Sequence, residues 1–211
     1  MHKKTKIITI NHNNVFLNTA EVLNKGGVII YPTETLYGIG AYATDTNAIN
    51  EIFKVKQRAR GKPFILLVKD FVMLEKYFIV PDVVLNNSDK FIKDPVTIIF
   101  DQKTELPEEL SAGTNKIGVR ISTNQFVKEL FSFIDIPLVS TSANISGEKN
   151  TYSSKQIIGL FDNKVDLIID SGNLPHSKGS SIIDITSTPP RLLREGEIKK
   201  ENLKEFLSGD Y

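Results

Sequence analysis

Gly26-Gly27-Val28-Ile29-Ile30-Tyr31-Pro32-Thr33-Glu34-Thr35-Leu36-Tyr37-Gly38-Ile39-Gly40 is the stretch on which the fold turns. Residues 28–31 form a short apolar run between Gly27 and Pro32. Such a run predicts a buried strand that the proline ends. Residues 35–42 read as extended, with Gly38 and Gly40 permitting close backbone approach. Upstream, Asn13 or Asn14 can cap a helix that runs to about Lys25, with Phe16, Ala20 and Leu23 on one face and Gly26-Gly27 as its stop. Downstream, Asp45 or Thr46 caps a second helix whose buried stripe is Ile49, Ile52 and Phe53.

The alternation continues. Strands are expected at 64–68, 96–100, 117–121, 138–140, 165–169, 180–185 and 191–194. Helices are expected at 70–77, 82–92, 123–133, 153–161 and, as an amphipathic tail, 199–208. Helices and strands alternate without a strict βαβ rhythm, which predicts one α/β domain over 1–211 with a twisted mixed sheet.

Composition narrows the chemistry. The 211 residues include no cysteine, which removes disulfides, thiolate metal sites and thiol catalysis. Three scattered histidines (His2, His12, His176) argue against a histidine metal site, and no dedicated metal ligands are expected. The 26 Lys+Arg nearly balance the 25 Asp+Glu, so any phosphate contact must come from a local patch. No apolar run approaches membrane-spanning length and no signal-like segment follows the basic start, which predicts a cytoplasmic protein with no membrane partner.

Several segments carry polar chemistry. Lys54, Lys56, Arg58, Arg60 and Lys62 place five cations in nine residues, with no acid from 52 to 69. That is either a solvated helix end or a clamp for polyphosphate or an RNA backbone. Thr33, Glu34, Thr35 and two tyrosines crowd the end of the first buried strand, where α/β ligand sites open. The segment matches neither a Walker A motif nor GxGxxG and equally suits a Pro-initiated turn. Ser140-Thr141-Ser142-Ala143-Asn144-Ile145-Ser146-Gly147 can wrap a phosphate or ribose, or simply cap a turn. Arg120, in Gly118-Val119-Arg120-Ile121, is costly to bury alone and should meet a carboxylate of the protein or of a ligand. Gly179–Asp184 and Arg191–Gly196 repeat the theme of hydroxyls and arginine at strand ends. Glu34 is a candidate proton acceptor. Loops 146–154 and 172–180, rich in Ser, Gly, Asn and Lys, are candidates to close over a site.

Taken in order, these blocks resemble the YrdC-like family of threonylcarbamoyl-AMP synthases. The matching stretches are GGVIIYPTETLYGIG at 26–40, KxR followed by KP at 56–63, PVT at 95–97, GVRI at 118–121, STSANISG at 140–147, SSIID at 180–184 and LREG at 193–196. The resemblance spans about 25–196 and is to the short, single-domain form. It implies a large concave cavity and a nucleotidyltransferase reaction. L-threonine, bicarbonate and ATP give threonylcarbamoyl-AMP and pyrophosphate, with Mg²⁺ held through the phosphates. A separate tRNA threonylcarbamoyl transferase complex is the downstream partner, and tRNA itself is a candidate ligand.

By matching position, the resemblance implies that Lys56 and Arg58 are catalytic phosphate ligands. Lys62, Ser142, Asn144 and Arg194 are implied as further ATP contacts. Thr33, Arg120, Ser140 and Ser180 are implied as threonine and carbamate contacts. The chain departs from relatives at Ala59, where proline is common, at the extra charges Arg60 and Lys62, and at Lys116, where threonine is common. Two other functions fit some of the residues: a non-catalytic RNA-binding module using the 54–62 stretch, and a carbamoyl-adenylate enzyme that takes carbamoyl phosphate.

Overall fold

The computed structural model describes residues 4–206. Its strands are β1 (Lys6–Thr9), β2 (Ile29–Pro32), β3 (Tyr37–Gly40), β4 (Ile65–Val68), β5 (Val96–Asp101), β6 (Lys116–Ile121), β7 (Leu138–Ser142), β8 (Leu167–Asp170), β9 (Ser181–Asp184) and β10 (Arg191–Arg194). Its helices are α1 (Val15–Asn24), α2 (Thr46–Lys56), α3 (Phe71–Tyr77), α4 (Asp82–Asn86), α5 (Ser88–Lys93), α6 (Gln125–Leu130) and α7 (Ser154–Phe161).

The strands form one mixed sheet in the order β1-β8-β2-β3-β7-β4-β6-β5-β9-β10. The quoted stretch supplies its decisive hairpin, with β2 antiparallel to β3 and Pro32 opposite Tyr37. Pro32 therefore closes the strand as its last paired residue. The glycine reading holds: a Cβ on Gly40 would stand 2.6 Å from the Val139 carbonyl oxygen and 2.8 Å from the Tyr31 ring. Only glycine lets β2, β3 and β7 lie this close. β7 pairs with β3 and, antiparallel, with β4, so Leu138–Ser142 joins the two halves of the sheet.

Helix ends follow their caps. Asp45 accepts a hydrogen bond from the Ala48 N–H at 3.0 Å, and Asp70 accepts one from Met73 at 2.9 Å. α1 begins after Asn14, which makes no side-chain capping bond. α2 buries Ile49, Ile52 and Phe53 as expected and ends at Gln57, which takes the left-handed conformation (φ 51°). α1 contacts β2, β8 and α6, while α3 contacts β4 and α5 contacts β6.

Three details differ from the sequence reading. β1 is an edge strand in which Ile8 alone is buried, too weak a pattern to read. The helix expected at 82–92 is two, broken where the Asn87 side-chain amide donates to the Val83 carbonyl at 2.9 Å and closes α4. The tail is a 3₁₀ helix, Lys200–Phe206, anchored by buried Leu203, and residues 207–208 of that expectation lie outside the described residues.

Candidate active site

A cavity of about 400 Å³ opens on the sheet. Its floor is drawn from seven strands that are consecutive in the sheet: β3, β7, β4, β6, β5, β9 and β10. Gly38, Gly118, Ser140 and Ser142 lie where large side chains would otherwise fill the sheet face. Four cations line the cavity, Arg58, Arg120, Lys178 and Arg194, and no Asp or Glu does.

Arg120 is 5% exposed on β6, and its Nη1 stands 3.3 Å from Glu34 Oε1. Glu34 is held from the other side by the Ser122 hydroxyl, which donates to Oε2 at 2.6 Å. The carboxylate that the buried arginine demands is thus one of the protein's own. Arg120 Nε has no partner among the described residues. Glu34 is outside the cavity lining and is the ion-pair partner of Arg120.

Thr33 folds its own turn: its hydroxyl donates to the Leu36 carbonyl at 2.6 Å and accepts from the Leu36 N–H at 3.2 Å. It still lines the cavity, beside Thr35. Tyr31 is fully buried behind Gly38, close to Ser140, and its hydroxyl has no partner among the described residues. Burial pushes this phenol's pKa up to about 12 against the opposing influence of Ser140 and Arg120.

On the far wall, Arg194 Nε donates to the Ser180 carbonyl at 2.9 Å and Nη2 donates to the Ser180 hydroxyl at 3.0 Å. The Ser180 hydroxyl also meets Thr97 at 2.8 Å. Gly196 fixes this corner, because a Cβ there would stand 2.3 Å from the Gly179 carbonyl oxygen. Arg58 Nη2 donates to the Pro63 carbonyl at 2.7 Å, with the guanidinium 4.8 Å from the Phe64 ring centre. Burial lowers the pKa of both arginines, and the Arg120 charge adds to the effect on Arg194.

The five-cation cluster does not stay together. Lys54 pairs with Glu51 on the surface. Arg60 donates to Asn50 and lies over the Phe53 ring. Lys62 is exposed and outside the cavity lining. Lys116 donates to Thr186.

Lys56 also lies outside the cavity lining. It is 1% exposed and stands behind the wall, where its ammonium donates to the Ser142 carbonyl, to the Asn144 carbonyl at 2.8 Å and to Asn144 Oδ1 at 3.3 Å. Asn144 is likewise internal, receiving the Ser142 hydroxyl at 2.6 Å and donating to Ile145 and Glu148. Burial, aided by the Arg58 charge, pushes the Lys56 pKa down to about 7. The lysine fastens the end of α2 to the loop after β7. Of the expected residues, the cavity therefore gathers Thr33, Arg58, Arg120, Ser140, Ser142, Ser180 and Arg194, and leaves Lys56, Lys62 and Asn144 outside its lining.

The sequence reading missed Thr97, Tyr37, Asn150 and Lys178 as lining residues. Thr97 lies in the quoted PVT block and Tyr37 in the quoted opening stretch. Asn150 and Lys178 lie in the two loops named as candidates for closure. Those loops are tied to each other: the Tyr152 hydroxyl donates to the Ser177 carbonyl at 2.7 Å, and its ring stands 4.3 Å from that of His176.

A Sua5/YciO/YrdC family model, described as "Telomere recombination", matches residues 21–196. The chain belongs to this family. Among Sua5/YciO/YrdC relatives, a putative threonylcarbamoyl-AMP synthase of Methanocaldococcus jannaschii is 37% identical over 183 residues, 87% of this chain and 86% of the relative. A threonylcarbamoyl-AMP synthase of Pyrococcus abyssi is 30% identical over 189 residues, 89% of this chain; this chain spans 56% of that enzyme's length. The crystal structure of P. abyssi Sua5 complexed with L-threonine superposes with a TM-score of 0.87 at 27% identity, over 99% of this chain and 62% of that one. E. coli YciO superposes with a TM-score of 0.83 at 28% identity, over 97% of this chain and 98% of that one. The expected α/β architecture with a mixed sheet is that of these family structures. No helix among the described residues is long and apolar enough to cross a membrane.

Proposed function

We propose that this protein is an L-threonylcarbamoyladenylate synthase, making threonylcarbamoyl-AMP and pyrophosphate from L-threonine, bicarbonate and ATP for the N6-threonylcarbamoyladenosine modification of tRNA. The observation that carries the reading is the division of charge in the cavity. Arg120 arrives already balanced by Glu34, whereas Arg58 and Arg194 are held only by neutral oxygens and an aromatic ring. A ligand with one carboxylate suits the balanced arginine. A triphosphate suits the two with uncompensated charge. The named relatives and the L-threonine complex of P. abyssi Sua5 support the same reading.

In this reading the threonine amine attacks the bicarbonate carbon, water leaves and a carbamate forms. A carbamate oxygen then attacks the α-phosphorus in line, and pyrophosphate departs with the electrons of the broken P–O bond. The protein forms no covalent bond with substrate, so positioning and charge stabilisation supply the catalysis. Arg120, Thr33, Ser140 and Ser180 hold the amino acid and carbamate, while Arg58, Arg194 and Ser142 hold the nucleotide. Lys56 and Asn144 act through Ser142, whose loop they fix. The cavity lining offers no carboxylate, so its residues do not build a Mg²⁺ site of their own. The ion would travel with the ATP phosphates and water.

The RNA-binding alternative needs a continuous basic face at 54–62, and the dispersal of those side chains weighs against it. A transferase complex as the next partner and a cytoplasmic location complete the proposal.

The test is pyrophosphate release from ATP, Mg²⁺ and bicarbonate, with mass spectrometry of the nucleotide product. Release that requires L-threonine and fails with serine or alanine is expected. Release indifferent to amino acid, together with salt-sensitive tRNA binding, would favour the RNA-binding module.

A further inference from the structure

We infer that Glu34 is a positioning residue that aims Arg120 at the carboxylate of the amino-acid substrate, an inference that rests on the synthase reading. Four observations converge on it. Glu34 is held at both oxygens in different ways: the Ser122 hydroxyl donates to Oε2 at 2.6 Å, and Arg120 Nη1 stands 3.3 Å from Oε1 as an ion pair, with Oε1 accepting no hydrogen bond among the described residues. Ser122 is itself fixed, accepting the Asn124 N–H at 3.2 Å next to the cap of α6. The backbone carrying Glu34 is locked by the Thr33 turn. Arg120, although 5% exposed, keeps Nε without a partner while its side chain lines the cavity.

The chain of contacts therefore runs from the α6 cap through Ser122 and Glu34 to a guanidinium whose Nε has no partner among the described residues. A planar guanidinium recognises a carboxylate only in a narrow set of orientations. One edge fixed by Glu34 leaves another edge fixed in space for the ligand. Removing Glu34 raises the local positive charge, which by itself would strengthen anion binding. A loss of affinity would therefore report lost orientation rather than lost attraction. Gln at this position removes the charge and keeps one acceptor oxygen, for either Nη1 or the Ser122 hydroxyl.

The experiment is calorimetric titration of L-threonine and, separately, of ATP into wild type, Glu34→Ala, Glu34→Gln and Ser122→Ala, with thermal unfolding of each. Threonine affinity is expected to fall about tenfold in Glu34→Ala, the scale of one charge-assisted hydrogen bond. Glu34→Gln should recover part of it, Ser122→Ala should show a smaller loss than Glu34→Ala, and ATP affinity should stay within about twofold throughout. If Glu34→Ala does not fold, Ser122→Ala carries the test on the same ratio of threonine to ATP affinity. Unchanged threonine affinity, or equal losses for threonine and ATP, would overturn the inference and leave the synthase reading in place. A wild type that binds ATP but not L-threonine would overturn both.

Discussion

Arg120 and Arg194 look into one cavity from regions that treat their charge in opposite ways. At the β2–β3 turn and β6, the chain spends a carboxylate, Glu34, on Arg120. At β9 and β10, the chain gives Arg194 only the carbonyl and hydroxyl of Ser180. Arg58, also in the lining, has the Pro63 carbonyl and the Phe64 ring as its partners among the described residues. A neutral partner orients a guanidinium without cancelling its field, whereas an ionic partner does both. The cavity is therefore lined by one arginine paired with a carboxylate and by two that have only neutral partners among the described residues.

The comparison breaks most visibly at Arg58. Arg58→Ala should lower threonine-dependent pyrophosphate release by about 10²-fold or more, as expected when a donor to developing charge is lost. Its melting temperature should stay close to wild type, since the side chain is only half-buried. Steady-state kinetics with thermal unfolding checks both parts. Salt sharpens the same contrast. Raising ionic strength from about 0.05 to about 0.5 M should raise the KM for ATP by about fivefold and that for threonine by less than about twofold. Parallel increases would mean that the two ends carry similar fields.

A separate effect concerns stability and Lys56. Its pKa is about 7 in the folded chain against an ordinary value of 10.5. Below pH 7 both folded and unfolded chains are protonated, and the burial cost is borne in full. Between pH 7 and 10.5 the unfolded chain holds a proton that the folded chain has shed, so stability rises with pH by at most about 1.4 kcal/mol per unit. Lys56→Met keeps the apolar stem and should flatten that rise, read as urea midpoints at pH 7, 8 and 9.

Much of this was legible in residue order. The Gly-bounded run before Pro32, the Asp45 cap and the Ile49/Ile52/Phe53 stripe gave local structure directly, because each depends on near neighbours. Arg120 announced a carboxylate, and the structure supplies Glu34, 86 positions away in sequence. What could not be read was direction. Lys56 and Arg58 stand two residues apart in one basic run, yet Gln57 turns the backbone at positive φ, and one side chain is entombed while the other meets the cavity. Composition shows five neighbouring cations, and only the geometry of the helix end separates them. β1 was missed for a related reason: an edge strand with one buried residue is defined by its partner β8 rather than by its own pattern.

The division of the cavity is tested most directly by crossed titrations, with L-threonine and a non-hydrolysable ATP analogue each titrated into Arg120→Ala and Arg58→Ala. Arg120→Ala is expected to lose threonine and keep the nucleotide, while Arg58→Ala is expected to lose the nucleotide and keep threonine. Both variants losing both ligands to the same degree would contradict it.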